Sequence, residues 1–326
     1  MKSLRQVGSL FVATVIVIAT VSTYSPRVHA QNSGSGIQIS PTRTDLNVNP
    51  GESKTIKITL KNVTKNAIIA KVSVNDFTSD NETGQPRILV NTTKHNEHSI
   101  ADFLVGLKDV ELNPGESKDV EFTISVPKGA APGAYYSAIR YAAVPKSVND
   151  SNGGEKIALT ASVATLALVE VNGNLTQSIK FDKFDILSKG SSSNLFLSKV
   201  PDQASLKITN TGNTFTQPFG KVSVFKNNKE VYSYNVNDVD PKGNILPASS
   251  RTFKDKIKNV SGFGHYKATA SIAYRQGGEV LNISQSFWVI PASVLIALGL
   301  GLVVLLAAIA YITLKIRSRS RKHNHS

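Results

Sequence analysis

The residues with the right chemistry for catalysis or metal binding are few in this chain, and they are scattered. His95 and His98 bracket Asn96 and Glu97. Two imidazoles at that spacing begin a metal site only when further ligands converge from elsewhere, and a polar loop between strands explains them otherwise. Asp238, Asp240 and Asn244 near Gly243 offer oxygens at short spacing, as do Asp76, Asp80, Asn81 and Glu82. The first group lacks the bidentate acidic residue that completes a calcium loop, and the second is a further acidic loop of the same standing. No nucleophile elbow, phosphate loop or zinc-protease helix motif occurs. Tyr135, Tyr136 and Tyr141 form the one dense aromatic group. Period-2 alternation sends Tyr135 and Tyr141 to one face of a strand and Tyr136 to the other, as core packing requires. The expectation is a protein that is not an enzyme, with no catalytic, cofactor-binding or metal-binding residue, no cofactor, and ligand-binding residues unknown.

The elements that carry these residues read as strands. Asn-Pro-Gly-Glu-Ser-Lys stands at residues 49 to 54 and again at 113 to 118. Pro presets φ for the second position of a turn, and Gly accepts the positive φ that a type II turn needs at the third. Each copy opens an alternating strand, Thr55 to Lys61 and Asp119 to Val126. The contexts downstream diverge, so the copies read as one turn used twice within one domain, before two strands that pair side by side. A true duplication shows further on: Leu206 to Asn210 echoes Ile56 to Asn62, Leu246 to Phe253 echoes the second turn and strand, and Gly264 to Ala270 echoes Gly133 to Ala138. Lys226 to Lys229 reads as a hairpin turn, Ile157 to Val171 as a central strand, and Asn149 to Glu155 as an exposed loop. The fold class is all-β, two tandem immunoglobulin-like β-sandwiches followed by one C-terminal transmembrane helix.

The two ends carry the topology. Lys2 and Arg5 precede the apolar run Leu10 to Val21, and Val28-His29-Ala30 offers the small residues a signal peptidase reads. The uncharged run from Pro291 to Leu314 spans about 36 Å as a helix, against a hydrocarbon core of about 30 Å. Trp288 suits the interfacial belt, and Lys315, Arg317, Arg319, Arg321 and Lys322 oppose translocation. The organisation expected is a signal peptide at 1–30, a linker at 31–36, sandwiches at 37–172 and 173–289, a membrane helix at 290–314 and a basic cytoplasmic tail at 315–326. The chain then sits in the cell membrane as a single pass with its ectodomain outside. Most of the net charge of +14 belongs to these ends, so it argues for topology and against nucleic acid as a partner. There is no cysteine, which excludes a lipidated anchor and an inter-sheet disulfide.

The stretches "ISPTRTDLNVNPGESKTIKITLKN", "FTSDNETGQPRIL", "ELNPGESKDVEFTISVPKGAAPGAYYSAIRYA" and "ASVATLALVEVNG" together resemble the first domain of bacterial WxL-interacting surface proteins. The plan of signal peptide, two sandwiches, membrane helix and short basic tail is similar too. The resemblance implies peptidoglycan binding by the first domain and assigns no individual residue to it. The second domain, with "LKITNTGNTFTQPFGKVSVF" and "NILPASSRTF", looks like a variant found beside this first domain and unlike the usual partner-binding one. The partner expected is cell-wall peptidoglycan, a surface protein, or both. The alternative is a spacer or assembly scaffold without glycan binding.

Overall fold

The computed structural model describes residues 36–90, 94–146, 161–275 and 278–323. The expected signal peptide and the Asn149 to Glu155 loop lie outside them. The first part of the chain forms strands β1 (Ile37–Ser40), β2 (Arg43–Val48), β3 (Ser53–Asn62), β4 (Ile68–Asn75), β5 (Phe77–Ser79), β6 (Pro86–Ile88), β7 (Leu104–Val105), β8 (Val110–Leu112), β9 (Ser117–Ser125), β10 (Gly133–Pro145) and β11 (Ser162–Val171). The second forms β12 (Ile179–Ser188), β13 (Ser191–Ser192), β14 (Leu195–Leu197), β15 (Gln203–Asn210), β16 (Phe219–Lys226), β17 (Lys229–Val236), β18 (Ser250–Lys256), β19 (Gly264–Ala273) and β20 (Leu281–Ile290), before helix α1 (Ala292–His323).

Sheets β1-β3-β9-β7 and β2-β11-β10-β4-β8 face each other, as do β13-β12-β15-β18 and β14-β20-β19-β16-β17. Alternation explains which side of each strand is inside. Ile56, Ile58 and Leu60 of β3 and Val120, Phe122 and Ile124 of β9 point inward onto Ile139, Tyr141 and Val169. Leu206 and Ile208 do the same beneath Val222, Val224, Tyr266 and Phe287. These are two sandwiches of immunoglobulin-like architecture, each with its own core.

The repeated hexapeptide is one turn used twice. Gly51 and Gly115 have φ of +84° and +72°. The Glu52 N–H donates to Asn49 O at 2.9 Å, and the Glu116 N–H to Asn113 O at 3.1 Å. In both copies the Glu carboxylate then accepts the N–H of the Asn, at 3.0 Å for Asn49 and 2.6 Å for Asn113. The Lys that ends each copy pairs with that Glu, at 2.5 Å and 3.2 Å. Asn, Gly, Glu and Lys thus play the same parts in both copies. The strands that follow pair antiparallel, from Ser53 opposite Ser125 to Lys61 opposite Ser117.

The three echoes are three equivalent pieces of the two sandwiches. β3 beside β9 corresponds to β15 beside β18, and in both domains a parallel strand borders the sheet, β2 on β11 and β14 on β20. Asn62 and Asn210 end matching strands fully buried; Asn62 ties its turn to β8 of the opposite sheet through Leu112 O, and Asn210 ties its turn to the segment at Ile245. The Tyr135 hydroxyl donates to Ala131 O at 3.0 Å and the Tyr266 hydroxyl to Gly262 O at 2.9 Å, the same tyrosine corner twice. Leu246-Pro247-Ala248-Ser249 repeats the Asn-Pro-Gly-Glu turn, with Ala248 at φ +55° where the first domain has Gly115.

The sandwiches are held against each other. Phe77, Tyr136, Ala138 and Leu168 of the first pack on Leu246 and Phe215 of the second. The tip between β5 and β6 reaches the edge strand β18. There the Thr252 N–H donates to Glu82 O at 2.6 Å, the Ser250 N–H to Asn81 Oδ1 at 3.0 Å, and Lys207 Nζ pairs with Glu82 at 2.7 Å. The Ala134 N–H donates to Asn213 O at 2.9 Å. The segment 172–174 is pinned rather than free to swing: Asn172 bonds both Val48 O and Asn49 Oδ1, and a Cβ on Gly173 would lie 2.3 Å from Pro132.

Helix α1 leaves the last residues of β20 almost at once. From Ala292 to Lys315 it has a mean hydropathy of 2.8 and is not covered by any of the described residues, so it is long and apolar enough to cross a membrane.

Candidate binding groove

The structure accounts for each chemistry-bearing group in the sequence without a reaction. His95 Nδ1 lies 3.1 Å from Asp76 Oδ1, and the Asn96 N–H donates to Asp76 Oδ2 at 2.6 Å. His98 Nδ1 sits 3.0 Å from Ala134 O, its ring stacked on Tyr136 at 5.6 Å. The two histidines thus anchor one loop on two different elements. Burial pushes the Asp76 carboxyl up, but hydrogen bonds from Ser99, the Asn96 N–H and His95 outweigh it and hold it below its ordinary value. Asp80 folds its own turn, taking the N–H groups of Glu82 and Gly84 and the Thr83 hydroxyl. Asp238 accepts Asn235 Nδ2 at 3.0 Å, while the loop that carries Asp240 and Asn244 is organised by Asn237, bonded to Pro218 O and Gly243. Among the described residues no three His, Asp or Glu side chains converge as metal ligands.

The tyrosines divide as the alternation requires. Tyr141 is fully buried, and its hydroxyl, without a hydrogen-bond partner, is pushed up to about 12 by burial. Tyr135 packs on Phe103, and Tyr136 faces the second sandwich. None of them forms a surface platform.

What the first sandwich does offer is a groove of about 560 Å³ along the outer edge of β1. Gln38 and Ser40 of β1 stand opposite Lys61 and Thr59 of β3, all on the outward side of their sheet, and Ser117 of β9 lies beyond Lys61. The chain then crosses to the other sheet through Thr42, and the first residues of β11, Val163 and Ala164, form the far wall. β2 pairs with β11 from Leu166 onward, and β1 pairs with β3 from Ile37 to Ser40. The floor is apolar, from Ile37, Ile39, Val163 and Ala164, and the rim carries hydroxyls, one amide and Lys61, which makes no ion pair among the described residues.

No sequence motif marks this groove, because it is assembled from four segments far apart in the chain. Its one sequence signal is the outward set of β3, where Thr59 and Lys61 alternate with buried Ile58 and Leu60. A second cleft of about 380 Å³ lies between the sandwiches, with Asp45, Glu170 and Arg275 on its walls.

Residues 29–142 match the family model described as "WxL Interacting Protein, peptidoglycan binding domain". The match takes in the groove residues from Ile37 to Ser117 and stops before Val163. Among solved structures, the chain is similar to the Class 5 fimbriae chaperone CfaA at 14% identity, covering 78% of this chain and 100% of that one with a TM-score of 0.38. It is also similar to the E. coli chaperone DraB, at 12% identity over 78% of this chain and 96% of that one, with a TM-score of 0.35. Likeness this distant carries nothing about what the chain binds. No curated protein matches the chain significantly.

Proposed function

With its first domain matched to the peptidoglycan-binding domain of the WxL-interacting proteins, we propose that this chain is a membrane-anchored surface protein whose first sandwich holds cell-wall peptidoglycan in the groove along β1. The observation that carries the reading is the coincidence of the matched segment with that groove. The chemistry suits the ligand. Gln38, Ser40, Thr42, Thr59 and Ser117 supply donors and acceptors for sugar hydroxyls and N-acetyl amides, Ile39 and Val163 an apolar surface for acetyl methyls, and Lys61 a cation for the carboxylates of lactyl and stem-peptide groups. No Asp, Glu or His side chain is among the lining residues to serve as an acid and base pair, which supports a binding role.

Helix α1 supplies the anchor in this reading, with Lys315 and the following basic residues on the cytoplasmic side and the sandwiches outside. Protease added to intact cells should remove the sandwiches and spare a tag after Ser326; loss of the tag would reverse the orientation. The binding claim is tested by cosedimentation of residues 31–290 with purified sacculi at low and high salt. The expected result is pelleting with sacculi that weakens as salt screens Lys61. Absence of pelleting at low salt would refute it.

A second reading draws on the interdomain contacts. Two sandwiches clamped through Glu82, Thr252 and the Phe77 cluster behave as one rod, which suits a spacer that holds a surface protein away from the membrane. The cosedimentation result separates the two.

A further inference from the structure

The end of the second sandwich from which α1 departs differs from the rest of the molecule. β20 closes at Ile290, and the first helical turn already bonds back to Pro291, with the Val294 and Leu295 N–H groups 3.1 and 3.3 Å from its carbonyl. A link of one residue spans only about 3 to 7 Å. If α1 crosses a bilayer, this end of the sandwich is held within the headgroup layer.

Its surface fits that position. Trp288 is 46% exposed and lies against Phe263, itself 52% exposed and on a separate loop, at 6.3 Å. Val200, 53% exposed, sits on the loop fastened to the last strand by the Ser198 N–H to Ile290 O bond of 2.9 Å. The neighbouring loops are stitched to the same place, through the Asp202 N–H to Leu187 O and the Ile257 N–H to Asp202 O, both 2.9 Å. Around this apolar tip stand Lys189, Lys199, Lys226, Lys229, Lys256 and Lys258, none in an ion pair among the described residues. Asp202, Glu230 and the half-buried Asp255 are the acidic residues nearby, too few to neutralise them.

We propose that this end of the second sandwich is a lipid-docking surface, with Trp288, Phe263 and Val200 entering the headgroup layer and the surrounding lysines binding the phosphates of anionic phospholipids. The arrangement holds the rod of two sandwiches at a fixed angle and presents the groove of the first one outward. Amphipathic aromatic side chains favour this layer, and lysines near an anionic surface each add attraction that salt removes. The proposal rests on α1 being the membrane anchor, and the test keeps the two apart.

The full chain lacks cysteine, so Val200→Cys and Lys65→Cys give single labelling sites, one at the proposed surface and one exposed on the first sandwich. Each labelled chain is reconstituted into vesicles of phosphatidylcholine alone or with about a third phosphatidylglycerol, and quenching by headgroup-labelled lipid is read. The Val200 label should be quenched at least about twofold more in the anionic vesicles, and the triple variant Lys199→Glu, Lys226→Glu, Lys258→Glu or salt near about 0.5 M should abolish the difference. The Lys65 label should be unquenched in both. Equal quenching at Val200 in both lipids, unmoved by the triple variant, overturns the docking surface while co-flotation with vesicles upholds the anchor. A chain that does not co-float overturns the anchor and the docking surface with it.

Discussion

Replacing Asn62 by Leu should cost the first sandwich about 4 kcal/mol, and the value follows from its contacts. The side chain is fully buried. Its Nδ2 donates to Asn66 O, Asn113 O and Leu112 O at 2.8, 3.0 and 3.2 Å, and its Oδ1 accepts the Thr64 N–H at 2.9 Å and the Thr64 hydroxyl at 2.7 Å. Two hydrogens shared among three carbonyls, plus two accepted bonds, make roughly four net hydrogen bonds at about 1 kcal/mol each. Leaving the Leu112 carbonyl buried without its partner adds about 1 to 2 kcal/mol, and burial of the new apolar side chain returns about 1.5. The midpoint should fall on the order of 12 °C for a domain of this size. Urea and thermal unfolding of residues 31–290 followed by far-UV circular dichroism read the effect. Asn210→Leu provides the parallel case in the second sandwich, where three such bonds predict about 3 kcal/mol, and the single tryptophan, Trp288, reports that domain by fluorescence. A loss below about 1 kcal/mol at either position would show that the buried asparagines do not fasten their turns to the segments they bond.

The turns make the next prediction. Gly51→Val and Gly115→Val should each lose about 1 to 3 kcal/mol from a β-branched residue at positive φ, with Gly51 the worse because its Cβ would lie 2.9 Å from Lys128 Cγ while Gly115 meets nothing; Ala248→Gly, at φ +55°, should instead gain about 1 kcal/mol. Unchanged melting of all three would refute the turn assignment. Tyr141→Phe should stabilise by about 1 kcal/mol, since it removes a buried hydroxyl without a partner; a comparable loss would mean the hydroxyl is satisfied. Asp76 is held below its ordinary carboxyl range, so its contribution is complete above the unfolded pKa and disappears as pH falls through the folded one. The stability gap between the wild type and Asp76→Asn in urea should therefore shrink from pH 7 toward about 2.5, and a gap that widens would reverse the sign of the argument.

The parts of the fold legible in the sequence were those written in local chemistry. Alternation fixed the inward faces of β3, β9 and β15, Pro-Gly fixed the turns, and the echo of Gly133 in Gly264 marked the equivalent starts of β10 and β19. The Lys226 to Lys229 hairpin followed from Asn227 and Asn228, both at positive φ, and Ile157 to Val171 contains β11, a strand interior to its sheet. Long-range placement was not legible. Nothing local in Phe77 or Leu246 says that they meet, or that the acidic loop at Asp80 to Glu82 serves to grip β18. The groove was hidden for the same reason: Gln38, Lys61, Ser117 and Val163 become neighbours only when β1 takes the edge of one sheet and β2 begins the other.

The central claim is that peptidoglycan occupies this groove, and backbone amide NMR of residues 31–290 titrated with soluble muropeptides tests it most directly. Saturable shifts should gather on Gln38, Ser40, Thr59, Lys61, Ser117 and Val163, and Lys61→Glu should weaken the apparent affinity by about tenfold, the loss of one charge-assisted contact. Shifts confined to the cleft between the sandwiches or to the second domain, or an affinity that Lys61→Glu leaves unchanged, would contradict the account.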